Sequence, residues 1–223
     1  MPLDRTPKAL VCRDIVIEFD GQRVLDHLSF AAVAGVVTQL RGSNGSGKTT
    51  ILNAIAGFVR PNSGRILAYG IDKTNRCHEA RDIQFAIQGK GTLSSLSVLE
   101  HLQLARSAWH CPASRQWCQD LIDSWFPELS SIIGVRAGKL SGGQCQMIKL
   151  LCAVSVPASI LLFDEPSISL SEPTFERFAN DLVNLTRLRG VITIVAEHRL
   201  SNAAAHMETF VIERGRANKL CAD

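Results

Sequence analysis

No stretch of this sequence is apolar for long enough to cross a bilayer. The longest runs, such as Ala31–Val37 and Ile160–Phe163, fall far short of the ~18–20 residues that a spanning helix needs. The opening Met1-Pro2-Leu3-Asp4-Arg5 lacks the apolar segment of a signal peptide. The expectation is therefore a protein kept in the cytosol, whose contact with a membrane runs through a partner. Seven cysteines, at 12, 77, 111, 118, 145, 152 and 221, include no Cys-x-x-Cys pair, which points to reduced thiols in a reducing compartment. Cys77-His78 and His110-Cys111 are neighbours in sequence, but adjacency alone does not build a tetrahedral metal site. A large charge excess is also missing: the formal net charge of +3 is too small to argue for nucleic acid or an anionic surface as a partner, and none is expected. Internal repeats and low-complexity segments are absent as well.

What is present is an ordinary globular composition, 46% hydrophobic and 20% charged, in 223 residues. That length holds one domain, or one domain with an inserted lobe, around a sizeable core. Val11–Phe19 and Val24–Phe30 read as strands joined by a turn at Asp20-Gly21. The short β-branched run Val36–Leu40 leads into Gly42-Ser43-Asn44-Gly45-Ser46-Gly47-Lys48-Thr49-Thr50, and Ile51–Phe58 follows with helical spacing. After the turn Pro61-Asn62-Ser63-Gly64, Arg65–Tyr69 reads as a strand returning to the sheet. Residues 89–155 change character: Leu99–Trp109 and Arg115–Phe126 have helical spacing, with Pro112 and Pro127 as breaks. From Ile160 the alternation returns as strand 160–164, helix 173–188, strand 191–195, helix 200–206 and strand 208–213. This order predicts an α/β core with a helical lobe inserted between its halves.

Three motifs carry chemistry. Gly42, Gly47, Lys48 and Thr49 satisfy G-x-x-x-x-G-K-[ST] between a strand and a helix, the context that a phosphate-binding loop requires. Its backbone N–H groups can close around phosphate oxygens at a helix N-terminus, with Lys48 on the β and γ phosphates and the Thr49 hydroxyl on Mg²⁺. The alternative is a purely structural glycine turn. Ile160–Phe163 then ends in Asp164-Glu165-Pro166, which sets two acids at the C-terminal edge of a buried strand, where α/β folds bind ligands. Asp164 suits Mg²⁺ and Glu165 suits orienting and deprotonating water, although an acidic strand end standing alone is more often a helix cap. Leu140-Ser141-Gly142-Gly143-Gln144, 20 residues before Asp164, could by itself be a serine N-cap with a glycine turn.

Taken together, the three motifs resemble the ATPases of the ABC family, over about residues 10 to 216 and in the family's order. The resemblance implies a P-loop NTPase core of α/β class, with an antiparallel β subdomain and an inserted helical subdomain. The expected division is a core of about 10–88 and 156–216 and a helical part of about 89–155. It also implies ATP and Mg²⁺ as ligands and a paired assembly, in which Ser141, Gly142, Gly143 and Gln144 bind the γ-phosphate held by a second subunit. Gln88 resembles the glutamine that senses Mg²⁺, and His198 the histidine that contacts the γ-phosphate. Without the other motifs these would read as a solvated polar residue and a structural histidine. Phe19 sits where the family stacks an aromatic on adenine, and the alternative for it is a core strand residue.

Two places depart from the family pattern. Ser171 stands where an aspartate usually crosses to the other nucleotide site, and serine cannot carry that charge. The helix after Gln144 lacks its common arginines, which predicts weaker packing at the interface. The reading is the ATP-hydrolysing subunit of a transporter on the inner face of the cell membrane, working with permease subunits, a second ATPase subunit and, through the permease, a solute-binding protein. The chain ends soon after Arg216, so no C-terminal regulatory domain is expected. Glu197-His198 and the Phe19-Asp20-Gly21 start resemble the ATPases of branched-chain amino acid and urea importers. The alternatives are a soluble ABC-type ATPase of DNA repair, translation or assembly, a subunit that binds ATP but hardly hydrolyses it, and a non-ABC P-loop kinase.

Overall fold

A computed structural model describes residues 8–74, 82–89, 91–199 and 201–220. The Cys77-His78 pair lies outside the described residues. Two sheets form. The first is antiparallel and four-stranded, with β1 (Ala9–Phe19) between β2 (Gln22–Val33) and β4 (Ser63–Ala68), and with the short β5 (Ile71–Asp72) beyond β4. The second places β3 (Val37–Arg41) at its centre. On one side lie β8 (Ile192–Ala196), β7 (Ile160–Asp164) and β6 (Ile83–Ala86); on the other lie β9 (Met207–Glu213) and β10 (Arg216–Lys219). All of its pairings are parallel except β9–β10.

The parallel strands are apolar because both of their faces are covered. Every residue of β7 and β8 is buried. Side chains alternate across a strand, so Ile160 and Leu162 join a core with α1 (Lys48–Ile55) and the antiparallel sheet, as do Ile192 and Ile194. Leu161 and Phe163 face the other way. They join a core built with α2 (Val98–Ala108), α3 (Arg115–Trp125), α4 (Gly142–Ser155) and α5 (Glu172–Arg189). Serine caps each of these four helices: Ser97, Ser114, Ser141 and Ser171 accept a backbone N–H from the first turn. At Ser97 and Ser141 the third residue of the helix, Glu100 or Gln144, reaches back to complete a capping box. At its other end α4 exposes carbonyls to two guanidinium groups. Arg189 donates to the Val154 and Val156 oxygens at 3.0 and 3.2 Å, and Arg106 donates to the Ser155 oxygen. Arg106 also lies 3.9 Å from the ring centroid of Trp117. Burial, with the Arg106 charge nearby, holds the Arg189 guanidinium below its ordinary pKa.

Two expectations need correction, and one strand comes unannounced. The glycine loop passes into helix at Lys48 rather than Ile51, so Lys48, Thr49 and Thr50 belong to the first turn of α1. The expected helix 200–206 is a 3₁₀ turn over Asn202–His206, and Leu200 lies outside the described residues. Ser201 Oγ accepts the Ala203 N–H at 3.1 Å and Glu176 of α5 accepts the Asn202 N–H at 2.9 Å, so side chains satisfy the first two donors of this turn. Strand β10 has no apolar alternation to announce it; a tight turn with Arg214 and Gly215 both at positive φ folds it back along β9. The five cysteines at 12, 111, 118, 145 and 152 are free, and burial pushes the Cys152 thiol up to about 12. Among the described residues no helix is long and apolar enough to cross a membrane.

Phe178 of α5 ties the helical layer to the sheet. Its ring centroid lies 5.8 Å from Trp125, 5.9 Å from Phe126 and 5.7 Å from Phe163. Phe178→Ala is expected to cost about 3–5 kcal/mol, read as a lowered urea midpoint.

Candidate nucleotide and metal site

The register of three parallel strands sets the site. Leu40 of β3 pairs with Ala196 of β8, and Ala196 pairs with Asp164 of β7. The residues that leave these strands, Gly42 onward, Glu197-His198 and Glu165, therefore emerge side by side at one sheet edge. Lys48 is buried, and its ammonium donates to the carbonyls of Gly42 at 2.7 Å and Ser43 at 3.0 Å. Thr49 Oγ1 donates to the Asp164 carboxylate, 3.0 and 3.2 Å from its two oxygens. Burial raises the Asp164 pKa; the Thr49 hydrogen bond opposes this, and the Glu165 carboxylate adds to it.

Glu165 takes a left-handed backbone (φ 48°), and its N–H bonds the Ala196 carbonyl at 2.8 Å. One carboxylate oxygen accepts Gln88 Nε2 at 2.6 Å, and the other lies 4.0 Å from His198 Nδ1. A hollow of about 480 Å³ is lined by Asn44, Gly45, Gly47, Lys48, Thr49, Thr50, Gln88 and Glu165. Val24 lines it too, a residue that no sequence motif marks. A second hollow, of about 380 Å³, opens between Gly42, Ser43 and His198, with Arg41 and Val211. Another hollow, of about 690 Å³, lies at the far end of the parallel strands beside Ser155–Ser159 and takes no part in this constellation.

Ser46 is buried, and its hydroxyl has no hydrogen-bond partner among the described residues. The oxygens of Asp164 and Thr49, with the Gln88 side chain nearby, make a hard donor set that fits Mg²⁺. Phe19 is 47% exposed at the end of β1, which excludes the core alternative for it, and it does not line the 480 Å³ hollow. Nor do Ser141, Gly142, Gly143 and Gln144, which stand at the start of α4. Ser171, in place of the crossing aspartate, spends its hydroxyl as the cap of α5.

A family model described as ABC transporter matches residues 25–168. The chain belongs to the ABC transporter family. This cassette is 30% identical over 213 residues to a protein of Archaeoglobus fulgidus named a probable branched-chain amino acid transport ATP-binding protein, covering 86% of this chain and 80% of that one. It is 29% identical over 197 residues to a sulfate/thiosulfate import ATP-binding protein of Anthoceros angustus, covering 87% of this chain and 51% of that protein. A match to an ATP-dependent lipid A-core flippase of Xylella fastidiosa reaches 30% over 225 residues, covering 96% of this chain and 38% of the flippase. The cassette thus spans from under half to four-fifths of the length of these relatives. Among solved structures, the ADP conformation of an ATP-binding cassette of an ABC transporter superposes with a TM-score of 0.78 at 25% identity, covering 96% of this chain and 90% of that one.

The start of α4 packs on the segment after Glu165. A Cβ added at Gly143 would lie 2.6 Å from the Ser169 carbonyl oxygen, whereas one at Gly142 would meet nothing closer than 3.7 Å. Helix propensity alone favours alanine at both positions by up to about 1 kcal/mol. Gly142→Ala is therefore expected to be neutral or stabilising. Gly143→Ala should lose about 1–3 kcal/mol to the forced backbone shift, the two being compared by urea unfolding.

Proposed function

We propose that this cassette binds ATP with Mg²⁺, hydrolyses it, and powers solute movement through membrane permease subunits as one of a pair of cassettes. One observation carries the reading: Lys48, Thr49, Gln88 and Glu165 meet around a single hollow, with Asp164 held to Thr49 beside it. Two carboxylates beside a buried ammonium at a helix N-terminus suit phosphoryl transfer to water. The names of the three relatives, two ATP-binding proteins and an ATP-dependent flippase, support the same chemistry.

Lys48 supplies the charge for the β and γ phosphates, and the backbone of Gly42–Gly47 cradles them, with the Ser43, Asn44, Ser46 and Thr50 positions alongside. Thr49, Asp164 and Gln88 would hold Mg²⁺, which neutralises phosphate charge when bound. Glu165 has one oxygen engaged by Gln88, so the other is the acceptor for a proton of the attacking water. His198, with Nδ1 4.0 Å from that oxygen, would contact the γ-phosphate. Phe19 offers an exposed ring to adenine. Ser141, Gly142, Gly143 and Gln144 serve the γ-phosphate on the partner cassette. In this reading residues 89–155 are the helical part that carries them, and 10–88 with 156–216 the core. The assembly sits on the inner face of the membrane. Choice of solute belongs to the permease and its binding protein, because relatives named for sulfate, amino acids and lipid A-core match this cassette about equally.

Glu165→Gln keeps the shape of the site and removes the proton acceptor. It should bind Mg-ATP within about threefold of the native affinity while turnover falls by roughly 10²-fold or more. Equilibrium binding and steady-state phosphate release measure the two; unchanged turnover would remove Glu165 from its role.

A further inference from the structure

Glu197 directly follows β8, and its own N–H continues the ladder to the Leu40 carbonyl at 3.1 Å. Its side chain is 1% exposed, an expensive place for a carboxylate unless its lone pairs are filled. They are filled by backbone. One oxygen accepts the N–H groups of His198 at 2.8 Å and Arg199 at 2.9 Å; the other accepts the N–H of Ser167 at 3.1 Å. The three donors come from two loops that are thirty residues apart in sequence. Arg199 strengthens the tie by donating to the Leu170 carbonyl at 3.4 Å, and Gln39 Nε2 of β3 donates to the Arg199 carbonyl, also at 3.4 Å. The Ser167 loop is gripped from the opposite side by α4, where Gln146 donates to the Pro166 carbonyl at 3.1 Å and Gly143 abuts Ser169.

We propose that Glu197 is a positioning residue that clamps the His198 loop to the loop after Glu165, so that the two move as one body. His198 Nδ1 lies 3.6 Å from the same carboxylate that holds the Ser167 N–H. A displacement of the histidine is thereby passed to residues 167–170, and through Ser169 to the start of α4. A serine or threonine hydroxyl at position 197 offers a single oxygen on a shorter stem, which cannot serve both loops. The effect on turnover rests on the ATPase reading above; the clamp itself does not.

Glu197→Gln conserves volume but turns an NH₂ group toward one of the loops, and Glu197→Thr withdraws from Ser167 altogether. Hydrogen exchange of the isolated chain reads the clamp without any nucleotide. In both variants amides in 167–170 and in 197–199 should exchange faster by about tenfold or more, as expected when charge-assisted bonds are lost, with α5 unchanged. Acceleration in only one of the two loops, or in neither, overturns the clamp. Kinetics read its consequence. Turnover by Glu197→Gln should fall about tenfold to a hundredfold with the KM for ATP within about twofold. In a chain that already carries His198→Ala, adding Glu197→Gln should cost less than about twofold more, because Glu197 acts through His198. Losses that multiply would show that Glu197 does not act through His198. A native chain that releases no phosphate would overturn the ATPase reading and leave the exchange result to judge the clamp.

Discussion

The parallel alignment of β3, β8 and β7 is the constraint on which the rest depends. Leu40, Ala196 and Asp164 stand in one row across these strands, so the three chain segments that follow leave the sheet at one level. A slip of one residue in any strand would invert the faces of its side chains and drop its loop out of the row. The strands resist such a slip because each face is committed to a different core. Apolar packing thus sets the distances between the polar groups that end or follow these strands.

The sequence made much of the site readable because phosphate chemistry leaves little choice of residue. A lysine after glycines, a hydroxyl beside it and two acids ending an apolar run make the pattern that a phosphate and a divalent cation call for, and their order is visible without coordinates. What stayed illegible depends on backbone partners. Glu197 could be noticed as an acid beside a histidine, but its three donors are main-chain N–H groups with no signature in side-chain identity. The same holds for Gly143, whose need to stay small comes from the Ser169 carbonyl. Strand β10 and the 3₁₀ form of Asn202–His206 escaped because neither carries a hydrophobic period to read. Phe19 could be placed on a strand by alternation but not on a face, since the end of β1 leaves the covered part of the sheet.

The site also concentrates its cost. Glu165 holds a left-handed backbone that ordinary residues avoid, and Asp164 keeps a buried carboxylate next to another acid. Neither arrangement favours folding. Both persist because the strands beneath are buried along their whole length and because Thr49, Gln88 and the Ala196 carbonyl supply directed partners. Stability gathered by β7 and β8 is thus spent at the loops that follow them.

The two arginines at the end of α4 have an electrostatic consequence. A helix carries partial positive charge at its start and partial negative charge at its end. Arg106 and Arg189 cover the end of α4 with full positive charge, so the negative pole is quenched within the fold. The positive pole at Ser141–Gly143, about 20 Å away at 1.5 Å per residue, is capped by neutral side chains, with no acidic residue in its first turn. Helix α4 is in effect a one-ended rod, and at the end left live Gly142 is exposed while Gly143 packs on Ser169.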